Sequence, residues 1–301
     1  MTGLKWTRKA TRKIADELRR EGIMVSDKTV ACLLKALGYS LQANRKKIAL
    51  SGNGSLQQRT ERDLQFRRIC RIRERFAQNQ EPVISVDTKK KELVGNFKNP
   101  GCLWRDQPRD VADHDFPSYA KGKMIPYGIY DTIANEGAVY LGLSHDTAAF
   151  AVDSICAWWE QYGFHRYPHA RRILILADNG GSNSPTTAAW RYHLWRAFCQ
   201  RYGLKVTVCH YPTGASKWNP IEHRLFSEIS KNWAGVPLIN LETALKYIRK
   251  TKTETGLRVT AALNRKHYPL KEHIADELQA QVSINRYHLF PKLNYTLQPV
   301  K

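Results

Sequence analysis

The stretch RRILILADNGGSNS, Arg171 to Ser184, carries the reading of the fold. Ile173, Leu174, Ile175 and Leu176 form a short uninterrupted apolar run bounded by arginines and by Gly180-Gly181, the pattern of a buried strand. Such runs belong to parallel strands covered on both faces. A carboxylate at the carboxyl end of one points into the crevice where open α/β sheets take ligands. Asp178 is therefore a candidate ligand or catalyst. A purely local alternative stands beside it, because Asp, Asn and two glycines also make a turn with no further role.

Working outward, PVISVD (residues 82–87) is a second apolar strand that runs into an aspartate, Asp87. Strands are expected at 126–131 and 136–143, then a helix capped near Asp146 with Val152, Ile155, Trp159 and Tyr162 on one face and its end at Gly163. After strand 172–178 come a helix over 186–202 and a strand over 204–209. That strand alternates Leu204, Val206 and Val208 with Lys205 and Thr207, so one of its faces is expected to be wet. In NPIEHRLFSEIS, Asn219 suits the N-cap, Pro220 the first helical position and Glu222 the third, where a capping-box partner also sits. The order of three strands, helix, strand, helix, strand, helix predicts an α/β class with a mixed sheet flanked by helices.

The chain has 301 residues, 42% of them hydrophobic, which is enough for about two domains and a sizeable core. No run approaches the ~18 apolar residues of a membrane span, and MTGLKWTRKA lacks a signal-peptide apolar region, so a cytoplasmic protein is expected. The six cysteines are scattered singly and read as reduced, mostly core thiols rather than as a zinc or redox centre. With 48 Lys and Arg against 27 Asp and Glu, the net charge is +21. A field of that sign favours a polyanionic partner through counterion release. Residues 1–80 carry 19 basic and 7 acidic side chains, net +12, against net +9 over the remaining 221.

That basic beginning also holds two helical patterns. Thr11, Ile14, Ala15 and Leu18 recur at helical spacing up to Gly22; Ser26 then caps a second helix with Val30, Leu33, Leu34 and Leu37 as its apolar stripe. A helix pair joined by a Gly-containing turn suggests helix-turn-helix, with Lys28, Thr29, Cys32 and Lys35 on the outward face of the second helix. In that motif Lys28, Thr29 and Lys35 contact DNA; an ordinary helical hairpin with a solvated basic face is the alternative. Residues 51–80 read as a basic linker and connecting helix.

Asp87, Asp178 and Glu222 together make a candidate cluster. Carboxylates held close repel, so the cluster calls for raised pKa values or a bound cation, and hard oxygen donors select Mg²⁺ or Mn²⁺. Two such ions are suited to hydrolysing and joining phosphodiesters. Local alternatives are a pairing of Asp87 with Lys89 or Lys90, and a capping box for Glu222. His210 and His223 lack partners at ligand spacing and read as core or phosphate-contacting histidines.

The strings ISVDTKKKELVGNFKNPG, LILADNGGSNS and SKWNPIEHRLFSEISKNW resemble the Rhodopirellula-type DDE transposases, a bacterial insertion-sequence family related to mariner-like transposases, and the resemblance runs through essentially the whole chain. It implies a helix-turn-helix region over 1–50, a ribonuclease-H-like DDE core over 81–235 and a family-specific tail over 236–301. It also implies Asp87, Asp178 and Glu222 as catalytic and metal-binding residues, with the two acids of the second half 44 positions apart. The implied reaction is Mg²⁺-dependent hydrolysis at transposon ends followed by attack of the 3′-hydroxyl on target DNA. Lys89, Lys217 and Arg224 are further candidate contacts to duplex DNA, self-association is left open, and the place of work is the nucleoid. Members of the family commonly carry a further amino-terminal DNA-binding region, so a chain that starts almost directly on a helix pair beginning near Trp6 reads as a truncated copy or a late start. Two rival readings are a catalytically silent copy acting as a DNA-binding repressor, and a nuclease of the same fold.

Overall fold

The computed structural model describes residues 9–40, 56–115 and 117–300. The beginning of the helix pair expected near Trp6 and the first residues, 51–55, of the basic linker expected over 51–80 lie outside the described residues. Two compact units are present, residues 1–53 and 54–301.

In the first unit α1 (Thr11–Arg20) and α2 (Asp27–Ala36) are joined through Gly22, whose φ of +85° is the left-handed conformation a glycine reaches without strain. Ser26 caps α2 as expected, its hydroxyl accepting the Thr29 N–H at 3.0 Å. The apolar stripe is buried less than expected. Ala15 and Val30 are covered, but Leu33 is 50% and Leu37 72% exposed. A single line of contact between two ten-residue helices has room for only one or two side chains.

The second unit begins with α3 (Leu56–Gln78), β1 (Val83–Thr88), β2 (Glu92–Val94), β3 (Gly122–Asp131) and β4 (Glu136–Gly142). α4 (Ala148–Trp158) continues through a π-type turn, Trp159–Gly163, into the single turn α5 (Phe164–Arg166). β5 (Arg172–Ala177), α6 (Ala188–His193) and β6 (Lys205–His210) follow, and then a π-type turn, Glu222–Phe226, leads into α7 (Ser227–Asn232). α8 (Leu241–Arg249), β7 (Arg258–Asn264), α9 (Asp276–Ala280), β8 (Ile284–Arg286) and β9 (Asn294–Leu297) complete it.

The strands form one mixed sheet in the order β7-β4-β3-β1-β5-β6-β9-β8, with β2 paired to β3. β1, β3 and β4 are antiparallel neighbours, whereas β5 and β6 run parallel to β1. The expected mixed α/β class is what the chain adopts. The segment after residue 236 is no appendage, however: it supplies β7 at one edge of the sheet and β9 with β8 at the other. β7 pairs with β4 and β9 with β6, two core strands that would otherwise present an unpaired edge, and β8 extends the sheet beyond β9.

Strand alternation divides the core. Ile84, Val86, Ile173, Ile175, Val206 and Val208 face α4 and α6, among Phe150, Ile155, Trp190 and Phe198. Val83, Leu174, Leu176 and Cys209 face Ile69 and Phe76 of α3. Asp87 and Asp178 share the parity of this second face, which also receives the Glu222–Asn232 helix. Two local expectations change. The cap of α4 is Thr147, which accepts the Phe150 N–H at 3.3 Å, rather than Asp146. The face of β6 expected to be wet is closed: Lys205 is exposed but Thr207 is buried, because β9 pairs alongside and the Thr296 hydroxyl satisfies Thr207 at 3.0 Å.

The helix bearing Glu222 sits unusually close to the sheet. A Cβ built on Gly128, the β3 residue opposite Asp87, would lie 2.5 Å from Phe226 Cε1 and 2.9 Å from Ile221 Cδ1. The helix thus rests on bare backbone at the position facing the aspartate. Gly128→Ala is expected to cost roughly 1–3 kcal/mol through overpacking, seen as a lower urea midpoint. Adding Phe226→Leu should recover part of that loss; equal midpoints for the single and double variants would show that the contact does not limit packing.

Candidate active site

Asp87 lies within β1 and is only 8% exposed; its Oδ1 accepts the Thr88 N–H at 2.7 Å. Asp178 follows directly on β5. Its Oδ1 accepts the Gly180 N–H at 3.3 Å, and its main-chain carbonyl accepts the Nδ1–H of His210 at 2.8 Å. His210 is the buried core histidine that was expected: burial pushes its pKa down to about 4, which keeps the ring neutral. With Nδ1 donating, Nε2 is the acceptor for the Tyr295 hydroxyl at 3.3 Å, and that hydroxyl takes the Trp190 Nε1–H at 2.9 Å. The strand end carrying Asp178 is thereby tied to β6 and β9. The glycine turn after it is tied to β3, since the Tyr127 hydroxyl donates to Asn183 Oδ1 at 2.8 Å.

Glu222 is placed by a different device from the one expected. Asn219 does not cap its helix with its side chain, because that amide is drawn into β1. The Ser85 hydroxyl donates to Asn219 Oδ1, and Asn219 Nδ2 donates to the Val86 carbonyl at 3.2 Å. The capping acceptor comes from the strand, where Ser85 Oγ takes the Ile221 N–H at 3.0 Å. Ser85 is two residues before Asp87 and Asn219 three before Glu222. The buried bond therefore registers the two acids against each other. The signal was available as a lone serine inside the apolar run PVISVD, on the same strand face as Asp87.

The electrostatics bear out the proximity. Burial, then the charges of Asp178 and Glu222, push the Asp87 carboxyl up to about 8, and the Glu222 carboxyl is within hydrogen-bonding reach of it. Asp178 is also raised, chiefly by burial, with Glu222 and Asp146 adding repulsion against the Gly180 N–H that favours the charged form. Glu228 is elsewhere, paired with Lys231 at 2.6 Å. Among the described residues no three His, Cys, Asp or Glu side chains close into a ready-made ligand cage. The three acids interact without converging, as mutually repelling carboxylates do.

Asp146 was missed as a site residue. Its Oδ1 accepts the Thr88 hydroxyl at 3.0 Å, and with Asp87 and Asp178 it lines a cavity of about 260 Å³ bounded by Lys89, Lys90, Lys91 and the Gly180–Asn183 turn. Two cap-type residues in succession, Asp146 and Thr147, were the available signal, since a helix uses one. The candidate DNA contacts fall in different places. Lys89 is turned inward, bonded to Glu92 at 2.9 Å and lying 4.7 Å over the Trp233 ring, so it does not pair with Asp87. Lys90 and Lys91 are exposed at the cavity rim, as are Lys217, 5.5 Å over Trp218, and Arg224 on the surface of their own segments. Lys28, Thr29 and Lys35 are exposed on α2, with the Thr29 hydroxyl 2.8 Å from that of Ser26.

A family model, Rhodopirellula transposase DDE domain, matches residues 1–299. The chain belongs to this family of transposases. No curated protein matches its sequence significantly. Similar solved structures include a Mos1 transposase paired-end complex with left transposon end, 17% identical over 82% of this chain and 72% of that one with a TM-score of 0.45. The Mos1 strand transfer complex is also 17% identical, over 80% of this chain and 65% of that one, with a TM-score of 0.46. A Mos1 mariner paired-end complex with Mn is 18% identical over the same shares, with a TM-score of 0.45. Among the described residues no helix is long and apolar enough to cross a membrane.

The raised Asp87 carboxyl gives this transposase a pH signature. A carboxyl near 8 in the folded state and about 4 in the unfolded state holds its proton only when folded between those values, so stability falls as pH rises through that window. In chelator-treated protein the melting temperature should drop between pH 5.5 and 8.5, and Asp87→Asn should flatten the drop. Calorimetry across that range checks it; an Asp87→Asn profile as steep as wild type contradicts the assignment.

Proposed function

We propose that this chain is the transposase of a bacterial insertion sequence, that it cleaves phosphodiesters at transposon ends and joins the released 3′-hydroxyl to target DNA, and that Asp87, Asp178 and Glu222 hold the divalent cations this requires. The observation that carries the reading is that acids from three distant segments lie near enough for Asp178 and Glu222 to raise the Asp87 carboxyl, within a chain of net charge +21. The strand order β4-β3-β1-β5-β6 supports a ribonuclease-H-like core, with residues 1–50 as its DNA-binding partner region.

The donor set fits Mg²⁺ or Mn²⁺. All the donors are hard carboxylate oxygens, and carboxylates that raise one another's pKa are short of positive charge. When bound, such ions activate the attacking oxygen and stabilise the leaving one. The protein's own part is positioning. Ser85 and Asn219 keep Glu222 in register with Asp87, the neutral His210 ring fixes the main chain at Asp178, and Thr88 bonds to the Asp146 that closes the cavity. Lys90 and Lys91 at the rim offer charge to DNA phosphates. Lys28, Thr29 and Lys35 on α2 are proposed to meet DNA through the helix pair, and Lys217 and Arg224 to hold phosphates beside the glutamate helix. No covalent enzyme intermediate is needed, and a nucleoid-bound enzyme accords with this chemistry.

The test is nicking and strand transfer with Mg²⁺ on DNA carrying the element's own ends. Asp178→Asn and Glu222→Gln should each reduce both by about 1000-fold, the equivalent of several kcal/mol of lost charge stabilisation. DNA binding should persist in both variants, and Glu228→Gln should stay within a few fold of wild type. An active Glu222→Gln enzyme refutes the third ligand. Wild-type binding without nicking indicates a silent DNA-binding copy, and nicking without joining indicates a nuclease.

A further inference from the structure

α3 carries a second row of side chains beside its buried stripe. Gln65, Ile69 and Phe76 are buried, while Arg68, Arg71 and Arg75 follow at spacings of three and four and so lie along one face. This face does not look into solvent alone. It forms one wall of a groove of about 410 Å³, closed at one end by Arg172 and Lys205, the first residues of β5 and β6. None of the groove-lining residues is acidic. Arg172 has an outside partner, Glu81 at 3.3 Å, but among the described residues Arg68, Arg71, Arg75 and Lys205 have no ion pair.

The floor is polar and built. The Tyr287 and Thr296 hydroxyls are 3.1 Å apart and those of Thr296 and Thr207 3.0 Å, a chain of hydroxyls running across β9 to β6. Arg68 is stacked over the Tyr287 ring at 4.3 Å, and its Nε is a buried donor without an acceptor, the one such side-chain atom among the described residues. Leaving a charged donor unmet is costly, and no group among the described residues offsets that cost here; the stacking on Tyr287 holds the guanidinium in the groove lining. The groove is also remote from the acids. Arg172 opens β5 and Asp178 follows its last residue, six residues or about 20 Å away along the strand.

We infer that this groove is a second DNA-binding surface, which takes the sugar-phosphate backbone of one strand of duplex DNA away from the active site. Arginine forks match phosphate oxygens in pairs. From Arg68 to Arg75 the helix rises about 10.5 Å, close to the axial length of three phosphates of one strand at about 3.4 Å each. The inference rests on the proposed function only for the identity of the polyanion.

Binding of the full-length chain to a labelled duplex of arbitrary sequence, in chelator and over a range of salt, tests it. Arg71 and Arg75 are exposed, so Arg71→Gln with Arg75→Gln should fold as wild type. The pair should lower the log-log salt slope by about 1.8, two contacts at about 0.9 each. Lys246→Gln with Lys250→Gln removes the same charge from exposed positions at the end of α8 and should leave the slope unchanged. An unchanged slope in the arginine pair, an equal fall in both pairs, or a fall on duplex RNA and not on DNA overturns the groove. Nicking by the wild-type chain, measured beside it, separates the two ideas: intact nicking with an unchanged arginine-pair slope removes the groove alone, whereas a wild-type chain that binds no DNA removes both.

Discussion

A buried hydrogen bond between Ser85 on the first strand and Asn219, 134 residues later, sets the distance between two of the three acids. Both partners are fully buried, and both are also bonded to main chain, Asn219 to the Val86 carbonyl and Ser85 to the Ile221 N–H. A polar group buried without its partner carries the full cost of desolvation, so helix and strand cannot slide past each other without breaking several bonds together. The glutamate helix is pressed down in the same place by Gly128, which leaves no side chain between sheet and helix opposite Asp87. One contact made by polarity and one made by the lack of a side chain thus act on the same helix.

Holding carboxylates this way works against stability. Burial and mutual repulsion raise the Asp87 and Asp178 carboxyls, a strain that well-packed surroundings sustain only because β1, β5 and β6 are fastened on both faces. His210 belongs to that fastening: its ring is neutral because it is buried, and its tautomer follows from the carbonyl it must serve. The site is therefore short of positive charge within a protein that has a large excess of it overall.

That excess is not spread evenly over the fold. Lysines lie at the cavity rim beside the acids, while arginines line α3 at the opposite ends of the parallel strands. About 20 Å separates these surfaces along β5, a distance that a strand of more than a few nucleotides is long enough to span.

Much of this was legible in the chain itself. Uninterrupted apolar runs gave away β1 and β5, and the aspartates in or just after them stand where such strands place them, because the period of two and the strand direction are local properties. The proposal of Glu222 comes from the motif NPIE, and the pairing of Glu228 with Lys231 leaves the latter acid outside the cluster. What local pattern misassigned were residues whose partners are remote. Asn219 reads as an N-cap yet bonds to a strand, Asp146 reads as a cap yet faces Thr88, Thr207 reads as wet yet is buried and bonded to Thr296 of the neighbouring β9, and the segment after 236 reads as a tail yet supplies both edges of the sheet. The sequence by itself determined the element types, the basic character and the three candidate acids, since periodicity, charge and motif are written in neighbouring residues. Only the tertiary structure decided how those acids are held, which further acid joins them and where the arginines of α3 point, because a buried polar group takes its partner from whatever the fold brings beside it.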